Sequence, residues 1–252
     1  MAAGAARGRV ALVSGATSGI GRAVAARLAG DGFHVTGFGL ASEGEQADGA
    51  RVVEADVRRP DEVTALVAET LAEHGRIDVL CNAAGIKLAG DLLASSDAEW
   101  DETFAVNVNG LVTVVRAVLP TMIAQRSGSI VNIGSPSALA DPAALAYGAS
   151  KAAVAAITTS LALAHVADGV RVNLVVPGST RTGMNAGRPE AVERELARHN
   201  VAGRVNEPED VAEAVAYLAS DASATVTGAR IDVGWTPGVV AGPLLGGGGG
   251  RG

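Results

Sequence analysis

The stretch "SGATSGIG", Ser14 to Gly21, decides how the chain is read. Its glycines stand at positions 15, 19 and 21. Directly before it, "RVALVSG" (Arg9–Gly15) is a short apolar run that reads as a buried strand. Directly after it, Gly19–Gly30 is rich in alanine and reads as a helix. Glycines at such a junction allow a sharp turn and bring backbone N–H groups close to a ligand. The helix N-terminus that follows adds a field favourable to negative charge. A glycine cluster by itself also serves as a plain structural turn. The strand before it and the helix after it favour the pyrophosphate of a dinucleotide.

The same alternation continues downstream. Phe33–Gly39 and Arg51–Val57 read as strands, and Pro60–Gly75 as a helix with Pro60 and Asp61 near its start. Ile77–Gly85 reads as strand then loop, and Asp97–Gln125 as one long helix with Pro120 near its end. Gly128–Ser135 is a strand, Ala144–Val166 a helix, Val170–Gly178 a strand, Pro208–Ser220 a helix and Ala229–Gly234 a last strand. Strand cores apolar on both faces and separated by helices predict an α/β fold. The expectation is a Rossmann-type, doubly wound, seven-stranded parallel sheet with helices on both faces, in a single domain. Residues 9–241 form that domain. Residues 1–8 and the glycine-rich 242–252 are expected to be flexible ends.

Composition narrows the partners. Hydrophobic residues make up 48 % of 252, enough for a large core, but only 3 % are aromatic. The core must therefore be built from Ala, Val, Leu and Ile. A net charge of −7 with no basic stripe argues against nucleic acid and anionic membranes. Cys81 is the only cysteine, so an intrachain disulfide is impossible and a reducing compartment fits. It reads as a small core residue. No apolar run is expected to span a membrane, and the N-terminal residues lack a secretory pattern. A soluble cytoplasmic protein is predicted. His34, His74, His165 and His199 have no metal-ligand spacing, and no metal site is expected.

A second stretch, "AYGASKAAV" (Ala146–Val154), puts Tyr147 and Lys151 on one helix face, a turn apart, among small residues. Gly-xxx-Gly-x-Gly after the first strand, with Tyr-xxx-Lys well downstream, resembles the short-chain dehydrogenase/reductase family. The resemblance runs along nearly the whole chain. It includes "DV" (Asp56–Val57), "NAAG" (Asn82–Gly85), Asn107 in "VNVNG", "IGS" (Ile133–Ser135), "PGSTRT" (Pro177–Thr182), "EPEDVA" and "VTGARIDVGW".

The resemblance implies an oxidoreductase that interconverts a ketone and a secondary alcohol with NAD(P)(H). Tyr147 is implied as general acid and base, with Lys151 lowering its proton affinity and binding the nicotinamide ribose. Ser135 is implied to hydrogen-bond the substrate oxygen, and Asn107 to hold a water in a proton relay. The family's cofactor contacts fall on Ser14, Gly15, Thr17, Ser18, Gly19, Ile20, Gly21, Gly39, Asp56, Val57, Asn82, Ala83, Ala84, Gly85, Pro177, Gly178, Thr180 and Thr182, besides Tyr147 and Lys151. Bland readings stand beside these roles: a core tyrosine and a solvated lysine, an asparagine bridging helices, an acid ending a strand. Ser137 competes with Ser135 if the loop shifts register.

The end of the second strand usually selects the cofactor. An acid there binds the ribose hydroxyls, and a base welcomes a 2′-phosphate. Here Gly39 stands in the acidic position and Leu40 follows it. Ser18 occupies a position that is basic in some NADP enzymes, and Arg22 and Ser42 are further candidates for the phosphate. The balance leans slightly to NADP(H). Thr182–Gly203 reads as a lid, with Arg188, Glu190, Glu193, Arg194 and Arg198 spaced like a solvated helix face. Lys87, Leu88, Leu139 and Leu145 are expected to line the pocket. The substrate is a small ketone or secondary alcohol. A non-catalytic dinucleotide sensor is the alternative function. An epimerase or dehydratase of the longer branch fits the glycine spacing less well. A homotetramer is implied, packed through Asp97–Gln125 and Ala144–Val166.

Overall fold

The computed structural model describes residues 8–40 and 49–234. Seven strands form one parallel sheet: β1 (Val10–Ser14), β2 (His34–Gly39), β3 (Arg51–Glu54), β4 (Val79–Asn82), β5 (Gly128–Ile133), β6 (Val170–Pro177) and β7 (Arg230–Val233). Their order is β3-β2-β1-β4-β5-β6-β7, every pair parallel. The chain winds outward from β1 to β3, then returns to β4 on the other side of β1. The reversal leaves a crevice above the carboxyl ends of β1 and β4. Ser14 pairs in register with Phe38 on one side and Asn82 on the other, so the glycine turn starts at the crevice.

Both faces of the sheet are covered. The helices α1 (Gly19–Gly30) and α7 (Pro208–Ala219) close one face, over Ala11, Val13, Val35, Cys81 and Val131. The other face carries α2 (Pro60–His74), α4 (Leu111–Gln125) and α5 (Leu145–His165), over Val10, Leu12, Phe38, Leu80 and Ile130, while α3 (Asp97–Phe104) packs beside α5. Successive residues of a central strand therefore both meet apolar neighbours, which is why β1 reads as an unbroken apolar run. Cys81 lies within this core, and burial pushes its thiol up to about 12, so it is an inert packing group. A nine-residue helix, α6 (Glu190–Arg198), lies outside these layers and is laced by ion pairs of Arg194 with Glu190 and Arg198 with Glu195.

Two boundaries differ from the sequence reading. β3 stops at Glu54, so Asp56 and Val57 belong to the loop beyond the strand. The long helix is α3 and α4 joined by a wide π-type turn over Ala105–Gly110. Gly110 is required there, because a Cβ would stand 2.6 Å from Val57 Cγ2. Such wide turns redirect a side chain, and this one carries the buried Asn107. The stretches Asp97–Gln125 and Leu145–Asp168 are also long and apolar enough to cross a membrane by length and composition, contrary to expectation. In the fold they pack on the sheet. Ser42 and both terminal segments, apart from Gly8 and residues up to 234, lie outside the described residues.

Candidate active site

A cavity of about 450 Å³ runs along the crevice. Its floor is built from the turns that leave the strands, which is why so many lining residues are glycine, alanine, serine and threonine. At one end lie the glycine turn from Gly15 to Gly21, Gly39, Asp56 and Val57. At the other lie Ser135, Tyr147 and Lys151, with Pro177, Gly178, Thr180 and Thr182 between the two. Ala83, Ala84 and Gly85 complete the wall above β4. Thr17, Ser18, Gly19 and Ile20 face the cavity as well.

The residues at the first end suit an anionic dinucleotide. Ser18 precedes α1 without capping it through its side chain, and the first turn of α1 holds no acid. Its leading N–H groups are therefore available to a pyrophosphate. Gly15 takes a φ of +70°, and a Cβ there would meet Ala84 N at 2.7 Å. Gly21 leaves room for the Gly15 carbonyl in the same way. These glycines hold the turn against the β4 loop.

Three residues expected on the cofactor or in catalysis stand behind the cavity wall. Ser14 is buried, and its Oγ accepts from Ala83 N and Ala84 N at 3.2 Å each. Asn82 donates to Asn132 Oδ1 at 2.9 Å, and Asn132 donates to Thr158 Oγ1 at 2.9 Å. This ladder ties β4, β5 and α5 together. Asn107 accepts from Ile86 N at 2.8 Å and donates to Ile86 O and Ser150 Oγ at 2.9 and 3.0 Å. It bridges the wide turn, the β4 loop and α5. All three brace the walls through these bonds, although Asn82 Oδ1 is buried with no hydrogen-bond partner.

At the far end, Tyr147 and Lys151 project from the first two turns of α5, both buried. Ser135 lies two residues beyond β5, beside Tyr147 in the cavity wall, and its hydroxyl acts to lower the Tyr147 phenol. Its Oγ also accepts from Ser137 N at 3.2 Å. Ser137 Oγ donates instead to Asp141 Oδ2 at 2.7 Å. The loop register therefore puts Ser135, not Ser137, against the tyrosine. Burial raises the Tyr147 phenol above its ordinary value; the Ser135 hydroxyl opposes this, and the Asp141 charge adds to it. That corrects the expectation of a phenol lowered by Lys151. Lys151 is lowered to about 8 by burial, donates to Ile133 O at 2.9 Å and stands 5.8 Å from the Tyr147 ring centroid.

Several lining residues were not expected. Arg58 forks onto Asp56, with Nε at 3.0 and 2.8 Å from its two oxygens, and Arg58 Nη1 reaches Glu102 at 2.6 Å. The guanidinium holds the Asp56 carboxyl below the usual carboxylate range. The signal was present in "DVRR", two residues beyond Asp56. Of the expected pocket residues, Lys87 lines the cavity, whereas Leu88, Leu139 and Leu145 do not. Arg188 alone of the lid arginines lines it, held by Ser179 Oγ and Asn185 Oδ1. Arg22 lines an adjoining cavity with Gly19 and Arg181 rather than the Gly39 corner. Among the described residues, no group of three His, Cys, Asp or Glu side chains is placed to hold a metal.

The fold and its crevice are those of a Rossmann-type α/β protein with a site at the topological switch point. A family model described as enoyl-(acyl carrier protein) reductase matches residues 15–236. Oxidoreductase UcpA of Escherichia coli is 38 % identical over 241 residues, covering 88 % of this chain and 92 % of that protein. The 3-oxoacyl-[acyl-carrier-protein] reductase FabG of Thermotoga maritima is 35 % identical over 236 residues, covering 90 % and 96 %. Among solved structures, the ligand-free aldohexose dehydrogenase of Thermoplasma acidophilum superposes with a TM-score of 0.84 at 34 % identity, covering 90 % of this chain and 92 % of that one. The chain belongs to the short-chain dehydrogenase/reductase family. It is an oxidoreductase of that family.

Proposed function

We propose that the protein interconverts a ketone and a secondary alcohol by hydride transfer with a nicotinamide dinucleotide. The observation that carries this reading is the convergence of Ser135, Tyr147 and Lys151 at one end of a cavity whose other end is the glycine turn. The dinucleotide, when bound, supplies or accepts the hydride. The α1 N-terminus and the Gly15–Gly21 turn hold its pyrophosphate. Ser135 donates a hydrogen bond to the substrate oxygen as charge develops there. Tyr147 keeps its proton at neutral pH, so it acts as the acid that protonates the forming alkoxide. In the opposite direction its phenolate is the base, and oxidation rises with pH as that form is populated. Lys151 supplies a donor to the nicotinamide ribose and braces the tyrosine helix against Ile133 O. Gly85 leaves room for both Asn107 and that lysine, since a Cβ there would lie 3.2 Å from Asn107 Oδ1 and 3.5 Å from Lys151 Nζ. A direct test is turnover of a panel of ketones and secondary alcohols with each cofactor; binding of neither NADPH nor NADH sinks the reading.

The preferred cofactor in this reading is NADP(H). Gly39 brings no acid to the end of β2 to repel a 2′-phosphate, while Arg58 in the same corner is neutralised by Asp56 and Glu102. Replacing Gly39 by Asp introduces the repulsion. It lowers the NADPH-over-NADH ratio of kcat/KM by about tenfold or more. Thr17 must yield slightly, since a Cβ at Gly39 stands 3.0 Å from its Oγ1. An unchanged ratio in steady-state kinetics removes Gly39 from cofactor selection.

A cytoplasmic homotetramer completes the proposal. The apolar windows in Asp97–Gln125 and Leu145–Asp168 are only 39 % and 28 % buried within the chain. Leu163 and Val166 on the second are exposed. Packing these helices against their copies removes that surface from water. Sedimentation velocity is expected to give a tetramer, and a monomer at micromolar concentration refutes it.

A further inference from the structure

The reactive end of the cavity carries a second polar cluster that the hydride-transfer chemistry leaves unused. Lys87 follows the β4 loop, and its Nζ lies 2.9 Å from Asp141 Oδ2. Ser137 Oγ donates to the same oxygen at 2.7 Å, and Ala143 N donates to Oδ1 at 3.3 Å. The Asp141 side chain is only 5 % exposed, whereas that of Lys87 is 34 % exposed. Lys87 and Ser137 line the cavity beside Ser135 and Tyr147; Asp141 stands behind them. Lys87 Nζ is 5.3 Å from the Tyr147 ring centroid, so the cluster borders the reacting position. The loop is held firmly, because a Cβ at Gly148 of α5 would meet Ser137 O at 2.8 Å.

This arrangement has a definite chemical preference. An ammonium has three donors, and Asp141 takes one. The remaining Lys87 protons are donors for a ligand. The Ser137 hydroxyl spends its proton on Asp141, so toward a ligand it is an acceptor. A donor and an acceptor side by side match a hydroxyl group, which both accepts and donates. A carboxylate or thioester carbonyl only accepts, and leaves Ser137 unmatched. Asp141 also cancels the Lys87 charge, so the pair offers no net attraction to an anion. We propose that Lys87 and Ser137 form a hydroxyl-binding subsite, and that the substrate is a neutral compound with a hydroxyl on the carbon next to the reacting one: a vicinal diol in oxidation, an α-hydroxy ketone in reduction, as in sugars and polyols. This inference rests on the ketone–alcohol reading above and specifies its substrate.

The test compares four alcohols: cyclohexanol, the two diastereomers of its vicinal diol, and the cyclohexanecarboxylate with a hydroxyl on the neighbouring carbon. Each is assayed with NAD+ and NADP+. The wild-type protein is expected to favour at least one diol over cyclohexanol by about tenfold or more in kcat/KM, because unpaired polar groups in the subsite penalise the analogue lacking the hydroxyl. Lys87→Met leaves Asp141 buried without its lysine and beside Tyr147, so the charge-balanced variant is Lys87→Met with Asp141→Asn. It is expected to lose most of the diol preference, with a far larger fall for the diol than for cyclohexanol. A role confined to folding lowers both substrates together and overturns the inference. So does a wild type that prefers the carboxylate or shows no preference, or a double variant that keeps the diol preference. If the protein binds a cofactor and oxidises only other alcohols, the inference alone falls. If it binds neither cofactor, the ketone–alcohol reading falls with it.

Discussion

Replacing Tyr147 by Phe is expected to lower kcat by about 10³-fold or more while leaving dinucleotide binding nearly intact. The ring is buried against α5 and the cavity, and phenylalanine keeps its shape. Only the hydroxyl is lost, and with it the proton donor of the proposed mechanism. Positioned acid–base catalysis contributes about 10²–10⁴-fold. The sign of the pH dependence adds a second readout. Burial raises the Tyr147 phenol above its ordinary value, so the phenolate fraction grows through the alkaline range. Alcohol oxidation by the wild type therefore climbs with pH, and the Phe variant's residual rate does not follow that rise. Isothermal titration with NADPH and stopped-flow turnover separate binding from chemistry. A Phe variant with wild-type turnover would falsify the assigned role of Tyr147.

The second large effect concerns Gly15. Any side chain there faces two penalties. The backbone holds φ at +70°, which costs a non-glycine residue about 1–3 kcal/mol. A Cβ would also press on Ala84 N at 2.7 Å, Ala84 Cα at 2.8 Å and Ala83 C at 2.9 Å. These are backbone atoms already tied to Ser14 Oγ, so they have nowhere to move without opening β1 from the β4 loop. Overpacking of this kind costs about another 1–3 kcal/mol. Gly15→Ala is expected to lower the melting temperature by about 10 °C. It is also expected to weaken dinucleotide binding sharply, because the turn and the opposite wall move apart together. Differential scanning fluorimetry, with and without NADPH, checks both. Retained stability combined with retained stabilisation by NADPH contradicts the account of this turn.

Both predictions concern residues whose placement is carried by local sequence. Gly15 and the strand–turn–helix around it are contiguous, and so are Tyr147 and Lys151, one helical turn apart. Local spacing carries such features because backbone geometry places near neighbours without help from the rest of the chain. The parallel sheet was legible for a related reason: strands buried on both faces must be apolar at every position, as in β1. The wide turn over Ala105–Gly110 was not legible, because its residues suit an ordinary helix equally well. Only the need to pass Val57 closely and to aim Asn107 at Ile86 and Ser150 distinguishes it.

The sequence by itself determined the doubly wound fold, the place of the glycine turn and the pairing of Tyr147 with Lys151. Tertiary structure decided the rest of the site. It chose Ser135 over Ser137, through a loop whose register depends on where Asp141 is anchored. It brought Lys87 to Asp141, 54 positions apart. It withdrew Ser14, Asn82 and Asn107 behind the cavity wall by pairing them within the protein. It also reversed the expected shift of Tyr147, because proton affinity is set by the water removed and the charges brought near. Burial and charge environment are sums over segments distant in sequence, and they take definite values only when the chain has closed around them.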